Sequence, residues 1–295
     1  MARKFGKKTH VSLDPLNCSL IFLGQPKVGK TSLMKEVAEK TVGEDGYLFL
    51  EMYRESGANM IEGIVAEDVE TWGKFKEIVE DIEANKDTDY KDLKVVFIDT
   101  WDNAILLAEK EALRLWNKEN PEKRTDSILA AYGGFNRGPI KAAELLDDMK
   151  FRLEAVGIRV SIIMHVRDKE LVDPVTEKAY HQITSNVSQT YFNRIKSNAD
   201  IICVAYVDRD IALEQTGRKD IKGNDVKKSV IKSETRKIKF RDQGFAIDAG
   251  GRLKHIVDEI DFDSDQFIDA ITNALKAARI GYKNPFGDIY CFSFW

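Results

Sequence analysis

Gly24-Gln25-Pro26-Lys27-Val28-Gly29-Lys30-Thr31 stands between an apolar run at residues 18–23 (CSLIFL) and a helix-forming stretch at residues 30–40. The octapeptide satisfies the spacing G-x-x-x-x-G-K-[ST]. Its glycines let the backbone turn tightly, so that successive N–H groups and a helix N-terminus point at phosphate oxygens. In such a loop Lys30 places a compact cation on the β- and γ-phosphates, and the Thr31 hydroxyl holds Mg²⁺. Gly24, Gln25, Pro26, Lys27, Val28, Gly29, Lys30, Thr31 and the following Ser32 are therefore the expected nucleotide contacts. ATP and Mg²⁺ are the expected ligands.

Outward from this loop, short β-rich runs alternate with helical patterns, the mark of a parallel sheet covered by helices. Residues 47–51 (YLFLE), 94–98 (KVVFI), 159–164 (RVSIIM) and 201–207 (IICVAYV) read as further strands. Trp72, Phe75, Val79 and Ile82 recur at helical spacing and predict an amphipathic helix over residues 71–84. Helices are also expected at residues 104–116 and through Ala142, Leu145, Leu146, Met149, Leu153 and Val156, with residues 117–127 as a polar loop between them. Residues 244–257 predict short strands turning at Gly250-Gly251. Phe267, Ile268, Ile271, Ala274, Leu275 and Ala278 then form a C-terminal helix capped by Asp263 or Ser264. The expected organisation is a basic N-terminal segment at 1–17, a nucleotide-binding core at 18–257, and a C-terminal helix with an aromatic tail at 258–295. The core includes a basic, β-rich segment at 208–241. Between Arg218 and Arg241, ten Lys/Arg against three acids leave a local net charge of +7.

A phosphate-binding loop needs acidic partners to do more than bind. Asp99 ends the apolar run Val95-Val96-Phe97-Ile98, so its carboxylate emerges at a strand's C-terminal end, where ligands sit in open α/β sheets. It is the expected metal acid beside Thr31, with a helix N-cap as the structural alternative. Glu51 closes the 47–51 strand and faces the γ-phosphate if that strand neighbours the one bearing Asp99. Glu55 is the second candidate for the water-activating base, and Asp102 reads as a helix start. His165 follows the 159–164 strand directly, at the same sheet edge. A polar group there can hydrogen-bond the γ-phosphate, or be an ordinary satisfied histidine.

Composition narrows the classes. The chain has 295 residues and is 43% hydrophobic, too apolar for a disordered chain and long enough for a sizeable core. Its charge, 45 Lys+Arg minus 49 Asp+Glu, is −4, so bulk charge gives no support to nucleic-acid binding. No apolar run approaches the roughly 18 residues of a membrane span, and no apolar stretch follows the basic start as a signal peptide requires. Cys18, Cys203 and Cys291 are odd in number and far apart, which argues for a reducing compartment rather than a disulfide framework. The expectation is a cytoplasmic protein with no membrane partner.

With these residues placed, the chain resembles the RecA-like P-loop ATPases, closest to phage-encoded RecA-core nucleotide-binding or single-strand-annealing proteins. The resemblance covers roughly residues 18–257. It rests on the loop at 24–31, FLE at 49–51, FIDTWDNA at 97–104, AYGGFNRG at 131–138 and IIMHVRD at 162–168. It implies a RecA-like sheet, ATP bound between neighbouring subunits of a homo-oligomer, and two loops facing single-stranded DNA. Residues 131–138 take the place of the first loop, with Tyr132, Phe135 and Arg137 as DNA-contact candidates, and residues 166–190 take the place of the second. Lys237, Lys239 and Arg241 resemble lysines that reach a neighbour's ATP. In RecA a glutamine stands at the place of His165, and RecA's acidic motif is not reproduced around Glu51. Aromatic and cationic side chains among glycines suit unpaired bases by themselves, and a basic block can follow phosphates in a salt-sensitive way. A helix–helix loop and a solvated hairpin are the plain alternatives. Three functions follow: Mg-ATP hydrolysis coupled to single-stranded DNA in phage recombination or annealing, a small-molecule P-loop kinase, and a non-hydrolysing nucleotide switch that docks a replication partner.

Overall fold

The computed structural model describes residues 11–55, 57–173, 176–219, 225–242 and 246–283. The basic residues before position 11, Cys291 and the aromatic tail lie outside them. The chain runs β1 (Leu20–Gly24), α1 (Lys30–Val42), β2 (Tyr47–Met52), β3 (Ala66–Val69), α2 (Trp72–Ala84), β4 (Val95–Asp99), α3 (Trp101–Glu119), α4 (Arg137–Ala155) and β5 (Arg159–Val172). It continues through β6 (Ala179–Ser185), α5 (Gln189–Lys196), β7 (Ile201–Lys219), β8 (Asp225–Lys239), β9 (Gly250–Gly251), β10 (Glu259–Asp261) and α6 (Ser264–Lys283). This is the α/β, mostly parallel sheet expected of a P-loop NTPase.

The sheet order is β10-β8-β7-β1-β5-β4-β2-β3, with β6 on β5 and β9 on β7. From β7 to β3 neighbouring strands are parallel, and β5 separates the phosphate-loop strand β1 from β4. Parallel strands buried on both faces read as unbroken apolar runs, because alternate side chains enter two different cores. Ile21 and Leu23 of β1 pack with Trp72, Phe75, Trp101 and Leu146 from the helices α2, α3 and α4. Leu20 and Phe22 pack on the other face with Leu33 and Val37 of α1 and Phe267 and Ile271 of α6. Helix α6 thus belongs to the core that seats the phosphate loop. Asp263 caps it, its carboxylate accepting the Gln266 N–H at 2.9 Å.

Four boundaries depart from the sequence reading. Helix α3 runs to Glu119, into the expected loop, and stops only where Asn120 caps the Trp116 carbonyl and Pro121 forbids another turn. Helix α4 starts at Arg137, so Arg137 and Gly138 leave the glycine-rich loop, and Pro139 sits in the first turn where its missing N–H has no intrahelical partner to lose. Residues 166–190 are mostly a hairpin of β5 with β6, paired from Val166↔Ser185 to Val172↔Ala179. Gly250 and Gly251 are no turn but a short strand against Ile202 and Ile201, where a Cβ on Gly251 would meet the Asp200 carbonyl at 2.4 Å. Strands β7 and β8 extend past the sheet as an antiparallel arm that carries the basic segment. Its side chains from Asp208 to Asp210 and from Ser233 to Arg236 are exposed.

Candidate functional site

Parallel pairing brings four strand ends to one edge. Gly24 lies beside His165, Asp99 beside Ile163, and Glu51 directly beside Asp99. The sequence reading required that β2 neighbour β4, and it does. After Gly24 the chain turns through Lys27 and Gly29, both in the left-handed region at φ 65° and 103°, into α1. The backbone N–H groups of Lys27, Gly29, Lys30, Thr31 and Ser32 have no partner among the described residues. A run of unpaired N–H groups at a helix N-terminus is an anion cradle.

Lys30 is buried, and its ammonium donates to the carbonyls of Gly24 (3.1 Å) and Gln25 (3.0 Å) in its own loop. Burial pushes its pKa down, while Asp99, Asp102 and Glu55 oppose the shift. The Thr31 hydroxyl donates to Asp99 Oδ2 at 2.6 Å. Asp99 is buried to 3% exposure, and desolvation, aided by Glu55 and Glu51, raises its pKa from 3.8 to about 6 against the pull of Thr31 and Lys30. A buried carboxylate beside a hydroxyl is a site that a cation can occupy. The pair suits Mg²⁺, which binds through one or two protein oxygens and completes its shell with phosphate oxygens and water, so a larger acidic cluster is not needed. When bound there, Mg²⁺ supplies neutralising charge for phosphate oxygens.

Glu51 is 2% exposed, and one carboxylate oxygen accepts the Ala58 N–H at 2.6 Å. Burial raises its pKa, partly offset by that bond and reinforced by its cross-strand neighbour Asp68 and by Glu55. A raised carboxylate pKa moves it toward the range of an effective general base. Glu55 accepts from Asn103 Nδ2 at 3.3 Å. A Cβ at Gly57 would lie 3.8 to 4.0 Å from the Thr31 hydroxyl, Glu55 and Glu51, so the three converge there. Asp102, in the first turn of α3, accepts the His165 backbone N–H at 3.0 Å, and its carboxylate lies 3.8 Å from His165 Nδ1. Burial, then the Lys30 charge, lowers the His165 pKa and favours the uncharged imidazole, while Glu55 opposes the shift.

The family model described as an AAA domain matches residues 16–260. The chain belongs to that family. A search of curated proteins found no match. The AAA domain is a nucleotide-binding P-loop ATPase-type domain, and the matched residues contain every side chain of the site described above. No helix of the described residues is long and apolar enough to cross a membrane.

The remaining sequence candidates of the AAA domain are placed differently from one another. Tyr132 is anchored: its hydroxyl donates to the Ala112 carbonyl at 2.8 Å, and its ring lies 5.1 Å from that of Trp116. Phe135 is 95% exposed beside exposed Arg137, on a turn where Tyr132, Phe135 and Asn136 all have positive φ. Lys237 bridges Glu259 (3.0 Å) and Asp208 (3.2 Å), Lys239 bridges Asp242 (3.2 Å), and Arg241 donates to the carbonyls of Leu253 and Lys254 (both 3.0 Å). Sequence reasoning missed the bond from Asn103 to Glu55, the bond from the His165 backbone to Asp102, and Arg236, whose guanidinium reaches the phosphate loop. The first two had a signal, since polar residues opening the helix after Asp99 must face the same edge. Arg236 had none, because its contact lies 208 positions away.

Proposed function

We propose that this AAA domain is a Mg-ATP hydrolase of RecA-like type that works as a homo-oligomer on single-stranded DNA, in phage recombination or annealing. The observation that carries hydrolysis is the row Thr31–Asp99–Glu51: a hydroxyl–carboxylate pair suited to the metal, and a second buried carboxylate on the adjoining strand end. Lys30 and the free loop N–H groups bind the phosphates. Glu51, fixed by Ala58 and raised by burial, orients the attacking water and takes its proton, with Glu55 as alternate. His165 donates a ring N–H to the γ-phosphate, and Asp102 holds its backbone.

The single-strand reading draws on three features. Phe135 and Arg137 offer a stacking face and a cation, and bases stack on such faces for about 1–3 kcal/mol each. Arg167 and Lys169, without ionic partners among the described residues, line a cavity of about 430 Å³ between the β5–β6 hairpin and α5. The arm adds Lys228 and Lys232, both exposed. Lys237, Lys239 and Arg241 are the candidates for a neighbouring subunit's ATP, and reaching it requires them to leave their present partners. ATP turnover with and without a single-stranded oligonucleotide tests the proposal, with stimulation expected. Phosphate transfer to a nucleoside or metabolite, or tight binding with negligible turnover, would overturn it in favour of a kinase or a switch.

A further inference from the structure

Three cations occur close together on β8 and are held in two different ways. Lys237 and Lys239 face carboxylates. Arg236 has no carboxylate partner among the described residues, and its Nη1 donates instead to the Val28 carbonyl of the phosphate loop at 3.1 Å. Its guanidinium stands over the Phe262 ring, 5.2 Å from the centroid, and Phe262 is tied back through its backbone N–H to the Arg236 carbonyl at 3.0 Å. A Cβ on Gly29 would lie 3.2 Å from Arg236 Nη1 and 3.3 Å from Phe262 Cε1. The arginine–phenylalanine pair therefore covers the outside of the loop at the Val28–Gly29 peptide.

That peptide is where direction matters. In a trans peptide the carbonyl of one residue and the N–H of the next point opposite ways. Holding the Val28 carbonyl toward Arg236 turns the Gly29 N–H away from Arg236, and this N–H is one of the cradle's unpaired donors. The buried Val28 side chain anchors the same residue in the core. Gly29, at φ 103°, has no side chain to oppose a flip of the peptide. A flipped peptide would present a carbonyl oxygen to phosphate, which is repulsive.

We infer that Arg236 is a positioning residue of the phosphate loop, acting in the same chain: it clamps the Val28 carbonyl outside the loop and so aims the Gly29 N–H at the nucleotide's phosphates. The inference rests on the nucleotide-binding reading. A loop that must first find its binding conformation loses affinity by the fraction of time it spends there, while the bound state is unchanged. Arg236→Ala is therefore expected to weaken N-methylanthraniloyl-ATP binding in the presence of Mg²⁺, and to raise KM for ATP, each about tenfold, with kcat within about twofold. Arg236→Lys, a donor without the stacked planar fork, should fall between wild type and Arg236→Ala. Melting temperatures without nucleotide should match wild type within about 2 °C, since the side chain is exposed and removal leaves no buried charge.

Affinity of Arg236→Ala within twofold of wild type overturns the inference. So does a loss in kcat at unchanged affinity, which would put the guanidinium at the reacting atoms, or an affinity loss that tracks a lower melting temperature. If Arg236→Ala does not fold, Arg236→Lys alone decides between an intermediate and an unchanged affinity. Wild type without nucleotide binding would sink the parent reading instead, a separate outcome.

Discussion

The edge where β1, β5, β4 and β2 end and the arm formed by β7 and β8 carry charge in opposite ways. At the edge, Lys30, Glu51 and Asp99 are buried, and each shifts toward its neutral form chiefly because water has been removed. On the arm, Arg209 and Glu234 pair at 2.9 Å with both side chains about half exposed, an interaction in the class of about 0–1 kcal/mol. Buried charges of the first kind lower the stability of the empty protein, and under the proposed function a charged ligand offsets that cost. Arm charges of the second kind are nearly free to change and are available to a partner. Stability and activity should therefore move in opposite directions at the edge and independently on the arm.

The largest effects should fall on the edge. Lys30→Ala is expected to reduce ATP turnover by about a thousandfold or more, comparable to removing a main electrostatic element of a transition state, while the melting temperature holds or rises. Near-normal turnover would detach the phosphate loop from catalysis. Glu51→Gln should lower kcat by about 10²–10⁴-fold with nucleotide affinity retained, and Glu55→Gln by much less. The reverse ranking in a kcat comparison would transfer the base to Glu55. Asp99→Asn should abolish the response of turnover to Mg²⁺ and at the same time stabilise the empty protein at pH 7, on the order of 2 kcal/mol.

The sign of that last effect follows from proton linkage. Asp99 binds its proton more tightly folded (about 6) than unfolded (3.8), so its contribution to stability is fully present below pH 4 and is lost as pH rises through 6. Chemical denaturation of wild type and Asp99→Asn from pH 4 to 7 should diverge, with the variant flatter. Parallel curves would mean that Asp99 is not desolvated. The smallest effect belongs to the arm. Lys228→Ala with Lys232→Ala should leave the melting temperature within about 1 °C and reduce the slope of log affinity against log salt for single-stranded DNA by about 1–2. An unchanged slope would return the arm to a solvated hairpin.

Much of the edge was legible because its signals are local. The loop spacing, the apolar runs and the polar residue closing each run are features of a few consecutive positions, and each run became a strand ending where expected or within a residue or two, apart from the two that extend into hairpins. Residues 66–69, AEDV, gave no such signal as the edge strand β3, since three of their four side chains avoid full burial and a short acidic strand looks like a loop. The hairpins were hidden for a related reason: past the parallel pairing, β5 continues through Arg167–Glu170 and β7 through Asp208–Asp210, charged residues that fall on both faces, so the alternation of a half-buried strand is missing there.

The sequence by itself determined that a phosphate-binding loop opens a helix, that apolar runs build a parallel sheet, and that carboxylates close two of them. Those outcomes depend on backbone geometry and on the period of burial, which neighbours in the chain control. Only the tertiary structure decided that β5 lies between β1 and β4, that Glu51 meets Asp99, that Tyr132 is tied down while Phe135 is not, and that Arg236 reaches Val28. Each of these depends on which distant segments share a surface, and hydrogen-bond donors and rings are satisfied by whatever partner the packing of the whole sheet brings within reach.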